Sequence, residues 1–81
     1  MADSTEQEIV GIIGNALKID ANSLTAESTS NDVEEWDSLG HLAILRDLDK
    51  FYGGKIAGIK EMAQADSVGE ILQLLKNNSL L

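Results

Sequence analysis

The chain has 81 residues, no cysteine, no proline, a single histidine and a formal charge of −8. That length supports one small core, which predicts a single domain over 1–81 and leaves no room for an active-site cleft between lobes. The lack of thiols excludes a disulfide framework and thiolate chemistry, and the acidic balance disfavours nucleic-acid phosphates and anionic lipid while favouring basic patches on protein partners.

At the N-terminus, Met1-Ala2-Asp3-Ser4 lacks the basic and apolar regions of a secretory signal. No apolar run nears membrane-spanning length, so the chain reads as cytoplasmic with no membrane insertion. Few aromatics and no strand-period alternation predict an all-α fold. Ser4 and Thr5, with Gln7 and Glu8 three residues on, form a capping box opening a first helix from about Thr5 to Ile19. Its stripe of Ile9, Ile12, Ile13, Ala16 and Leu17 faces the core. Gly11 and Gly14 inside it each cost up to about 1 kcal/mol against alanine, which close helix contact would explain.

Asp20 to Trp36 is a polar, aperiodic loop with Leu24 and Val33 as its predicted anchors. Residues 1–37 hold nine of the acids against Lys18, a balance of −8, whereas residues 38–81 hold five acids and five bases. The second helix is predicted from Ser38 to about Tyr52, with Leu42, Leu45 and Leu48 on one strip, Ile44 and Tyr52 widening it, and Gly53-Gly54 ending it. A short, mobile third helix follows near Ile59 to Ala63. Ser67-Val68-Gly69-Glu70 is a second capping box, opening a last helix with Val68, Ile71, Leu72 and Leu75 inward. Asn77 to Leu81 is expected to fray. The predicted architecture is a small four-helix bundle of three longer helices plus one short helix.

Trp36-Asp37-Ser38-Leu39 places a hydroxyl where the loop turns into the second helix. Unpaired N–H groups and the positive dipole end favour a phosphate attached there, although Asp-Ser alone is also an ordinary helix start. Together with the order of elements, this motif resembles the acyl carrier protein family, whose Asp-Ser-Leu carries 4′-phosphopantetheine on its serine. The resemblance covers about Glu6 to Lys76. It implies that Ser38 is the attachment point of an arm donated by coenzyme A, and that acyl groups ride on the arm as thioesters in fatty acid, polyketide or related specialised biosynthesis. The chain would then be a cosubstrate of separate enzymes rather than an enzyme. The implied partners are a phosphopantetheinyl transferase and acyl-loading and acyl-transfer enzymes with basic docking surfaces. Asp37 is implied beside the transferred phosphate with a Mg²⁺ ion of the transferase complex, a role compatible with capping the helix. Leu39, Leu42, Asp47 and Asp49 are the implied partner contacts, with a core position as the alternative for Leu39. Leu42, Leu45, Ile59, Met62 and Val68 are the implied lining of an acyl-chain pocket, and a monomer is the simplest state.

The second helix departs from the fatty acid carriers: Gly40 and Ala43 stand where acids are common, and Arg46 and Lys50 add positive charge. Gly40-His41 is similar to stand-alone carriers of specialised pathways, and the glycine also to D-alanyl carrier proteins, pointing to a dedicated secondary carrier. His41 lies three residues after Ser38 and four after Asp37, but one helix end supplies no oxyanion site, so it is read as a solvated residue near the arm. Asp32, Glu34, Glu35 and Asp37 are read as a solvated acidic loop, with no metal site. The alternative function is a cofactor-free acidic helical adaptor that docks its second helix into a partner.

Overall fold

A computed structural model describes residues 6–81. They form helix α1 (Glu6–Leu17), α2 (Ser38–Phe51) and α3 (Val68–Asn77), with short 3-10 helices at Ala21–Ser23, Ile56–Gly58 and Lys60–Gln64. There is no strand among the described residues, only an isolated bridge between Thr29 and Ser67. The fold is thus all-helical, and no described helix is long and apolar enough to cross a membrane.

Ile9, Ile13 and Leu17 of α1 are buried, with Ile12 and Ala16 packed half-buried beside them, as a 3.6-residue stripe requires. The Ser4–Thr5 capping box lies outside the described residues. α1 stops two residues before the predicted Ile19. Lys18 adopts φ 61°, and the N–H groups of Lys18 and Ile19 turn back onto the carbonyls of Asn15 and Gly14 at 3.1 and 2.9 Å, a Schellman closure. A Cβ at Gly14 would come within 2.9 Å of the Ala21 Cα, while one at Gly11 would meet nothing. Gly14 is therefore the glycine that admits a close neighbour, and that neighbour is the following turn.

α1 packs mainly on α2 and less extensively on α3; the 3-10 segment at Ile56–Gly58 packs on α2, and that at Lys60–Gln64 bridges α2 to α3. In this region the prediction needs correction: no α-helix forms near Ile59 to Ala63, so the described residues contain three α-helices. The buried apolar residues there are Ile56, Ile59, Met62 and Ala65, spaced every three residues. A 3-10 helix, with three residues per turn, puts such a series on one face; an α-helix would rotate it away.

Ile44 and Leu48 are the buried centre of α2; Leu45 is half-buried, and Leu42 is 60% exposed rather than part of the core strip. The Gly54 and Gly53 N–H groups close the helix onto Asp49 and Lys50 at 2.8 and 3.4 Å. In α3, Val68, Ile71, Leu72 and Leu75 are buried as predicted. Ser67 Oγ accepts from the Glu70 N–H at 3.0 Å, while Glu70 Oε1 accepts from the Asp66 N–H at 3.3 Å, one residue before the usual capping-box donor. The residues expected to fray fold back on the end of α3. Ser79 at φ 61° and Leu80, whose N–H donates to Leu75 at 2.8 Å, repeat the closure of α1 and hold Leu80 and Leu81 against the core.

Leu24 and Val33 do anchor the long loop, buried and half-buried respectively, but its largest anchor is Trp36, 4% exposed. The loop is also laced to the start of α3. Ser30 N–H donates to Asp66 at 2.8 Å, Val68 N–H to Ser28 at 3.0 Å and Gly69 N–H to Ala26 at 2.9 Å. The last two bonds satisfy donors that the first turn of α3 leaves without intrahelical partners.

Candidate functional site

The loop ends and α2 begins at the same corner. Asp37 is the N-cap: its Oδ1 accepts from the Gly40 N–H at 2.8 Å, and its carbonyl accepts from the His41 N–H at 2.8 Å. Asp37 thus fills the capping role compatible with either reading. Ser38, the first residue of α2, is exposed, and its hydroxyl has no hydrogen-bond partner among the described residues. The backbone N–H groups of Ser38 and Leu39, at N1 and N2, likewise have no acceptor there. A phosphate ester on the exposed Ser38 would lie beside these free donors, with the Asp37 carboxylate as the opposing charge.

Ser38 stands at the edge of a cleft of about 580 Å³ between α2 and the chain leading into α3, lined by Ser30, Trp36, Asp37, Ser38, His41, Leu42, Leu45 and residues 63–66. A second cleft of about 410 Å³ lies further along α2, lined by Leu42, Leu45, Arg46, Asp49, Ile56, Ala57, Ile59, Lys60, Met62 and Ala63. Of the predicted pocket residues, Leu42 and Leu45 border both clefts, and Ile59 and Met62 border the second. Val68 borders neither; it is fully buried as the first residue of α3. Sequence reasoning misses Ser30, Trp36, Gln64 and Asp66 as cleft residues. Trp36 carries one signal, as the single large aromatic flanking the motif; the others are brought in by the loop-to-α3 pairing.

Leu39 is 77% exposed, which removes the core position as its role. With Leu42 it forms an exposed apolar pair beside Ser38. Asp47 is half-buried and lies 3.4 Å from Arg46 Nε. Asp49 holds structure together: its Oδ1 accepts from the N–H groups of Ile56 and Ala57, both at 3.1 Å, so this carboxylate caps the 3-10 helix that follows α2.

His41 requires correction. It is half-buried, not solvated. The Trp36 indole Nε1–H donates to Nδ1 at 3.0 Å, and Nε2 stands 2.9 Å from the Met62 carbonyl oxygen. Since an indole only donates and a carbonyl only accepts, these contacts assign a neutral ring with its proton on Nε2. The rings of Trp36 and His41 lie edge to edge and nearly coplanar, 15° apart with centroids separated by 6.2 Å, as an in-plane hydrogen bond requires. Both nitrogens are occupied, so neither is aimed at the Ser38 hydroxyl as a base. Among the described residues, no group of three or more His, Asp or Glu side chains converges as a metal site.

No family model, curated protein or solved structure matches the chain.

Proposed function

We propose that this chain is a carrier protein of the acyl carrier kind, bearing 4′-phosphopantetheine on Ser38. The observation that carries the reading is the exposed, unpartnered Ser38 hydroxyl at the capped start of α2, on the edge of an apolar-lined cleft. Bound there, the group supplies a thiol for thioester formation, which a chain without cysteine neither provides nor competes with. The chain's own part is to present the hydroxyl, hold α2 in register through Asp37, and shelter cargo against Leu42, Leu45, Ile59 and Met62. The free N–H groups of Ser38 and Leu39 would favour the phosphate, and Asp37 beside it would require a Mg²⁺ ion of the transferase complex to offset its charge.

In this reading the paired 3-10 segments stand where the short helix of a four-helix carrier would lie. Leu39 and Leu42 are partner contacts, aided by Asp47 and by the acidity of residues 1–37, which suits enzymes with basic docking surfaces. The chain acts as a monomeric, cytoplasmic cosubstrate in a specialised acyl pathway. Its exposed Leu39–Leu42 pair also suits a cofactor-free adaptor, and modification of Ser38 separates the two functions.

The deciding experiment is the intact mass of the apo protein after incubation with coenzyme A, Mg²⁺ and a broad-specificity phosphopantetheinyl transferase, with Ser38→Ala alongside. One phosphopantetheine adduct on the wild type and none on the variant is the expected result. An unmodified wild type with several transferases would give precedence to the adaptor.

A further inference from the structure

We propose that His41 is a latch that keeps the two clefts apart and thereby sets the length of cargo sheltered beside Ser38; the cargo clause rests on the carrier reading above. The Nε2–H···O bond to Met62 ties the middle of the Lys60–Gln64 segment to α2. It is held in place from behind. Trp36, itself buried, donates to Nδ1 and so fixes both the tautomer and the direction of the other nitrogen, as a second partner commonly does for histidine. The Met62 carbonyl also accepts from the Ala65 N–H at 3.3 Å, so the latch uses its remaining acceptor capacity.

The segment behaves as a strap. One end is secured by Asp49 through Ile56 and Ala57, and the other by the pairing of Asp66 with Ser30. Between them, 3-10 hydrogen bonds are poor and short runs open at low cost, so the mid-strap tie matters. His41 borders the first cleft and Met62 the second, while Leu42, Leu45 and Ala63 border both. Release of Met62 from His41 lets the strap move away from this shared ridge and joins the clefts. The first cleft follows α2 from Ser38 to Leu45, about 10 Å along the axis, whereas the second continues to Asp49, about 16 Å from Ser38. A short cargo fits with the latch shut. A long acyl chain folded back along α2 requires it open.

The test begins with the unloaded protein. Amide exchange is measured for wild type, His41→Ala and His41→Gln, with α1 and α3 amides reporting global opening. The expected result is exchange at residues 59–65 accelerated tenfold or more by His41→Ala beyond any change in α1 and α3, and restored toward wild type by His41→Gln, whose amide again donates. Acceleration spread equally over all helices, or none, overturns the latch. Should His41→Ala fail to fold, Trp36→Phe decides: a ¹⁵N spectrum of His41 losing its single tautomer, together with faster exchange at 59–65, supports the latch, and an unchanged pair of readouts overturns it. Cargo length is then tested by transferring butyryl- and dodecanoyl-phosphopantetheine to Ser38. Loss of the His41 Nε2–H signal with the twelve-carbon chain alone is the expected result, and its retention with both overturns the cargo clause. Failure of every transferase to load Ser38 overturns the carrier reading and the cargo clause with it, leaving the exchange result to judge the latch itself.

Discussion

A Cβ at position 40 would overlap the Glu35 carbonyl oxygen and approach a Leu17 methyl to 2.8 Å. The loop cannot easily retreat, because the next residue, Trp36, is buried. Gly40 therefore answers to its own preceding loop, whatever partners α2 meets. Gly40→Ala is expected to lower stability by about 1–3 kcal/mol, as overpacking does, read as a lower urea midpoint at constant slope. Lys18 offers the opposite case. A non-glycine residue in the left-handed region costs roughly 1–2 kcal/mol, and glycine's extra chain entropy returns roughly 0.5–1 kcal/mol of that. Lys18→Gly is therefore expected to raise stability by about 0.5–1 kcal/mol, checked by the same unfolding curve. Neither effect is legible in the sequence: Gly40 is visible there as a departure from the fatty acid carriers and a likeness to other carriers, not as a packing constraint, and nothing in a lysine announces a positive φ.

Among the elements, all three helices end by the same Schellman closure, yet only α2 advertises it with Gly53-Gly54. The closures at Lys18 and Ser79 are enforced by packing of the hydrophobic residue that follows, Ile19 and Leu80, consistent with the apolar contact that accompanies this motif. For that reason periodicity overextends α1 and makes the C-terminal residues look frayed. The helix starts are more legible because Asp37 and Ser67 are chemically distinctive caps acting three residues ahead. Asp49 shows the limit of reading a charge from sequence. Its place on α2 suggests partner docking, but its carboxylate satisfies two N–H groups of the next 3-10 helix. Asp49→Ala is expected to cost about 1–2 kcal/mol by leaving donors unsatisfied, with faster amide exchange at Ile56 and Ala57 distinguishing this from loss of a surface charge.

At the scale of the molecule, the long loop is part of the folded unit. Trp36 and Leu24 enter the core, and residues 26–30 pair with the start of α3. Unfolding followed by Trp36 fluorescence and by far-ultraviolet circular dichroism should therefore give coincident midpoints, the mark of one cooperative transition; an earlier fluorescence transition would mean that the loop melts separately. The Cα radius of gyration, 11.4 Å, agrees with about 11.7 Å for a compact chain of this length. What the sequence determined by itself was local: an all-helical chain, the apolar faces of α1 and α3, the caps that start α2 and α3, and a serine at a helix start. These follow from periodicity and from side chains acting within four residues. Tertiary structure alone decided that the segment between α2 and α3 winds as 3-10 helices, that Leu42 faces solvent and Val68 lies outside both clefts, and that Trp36 and Met62 capture His41 through its two ring nitrogens. Such choices depend on which surfaces meet across separations of many residues, where packing volume and the need to pair buried polar groups override local preference.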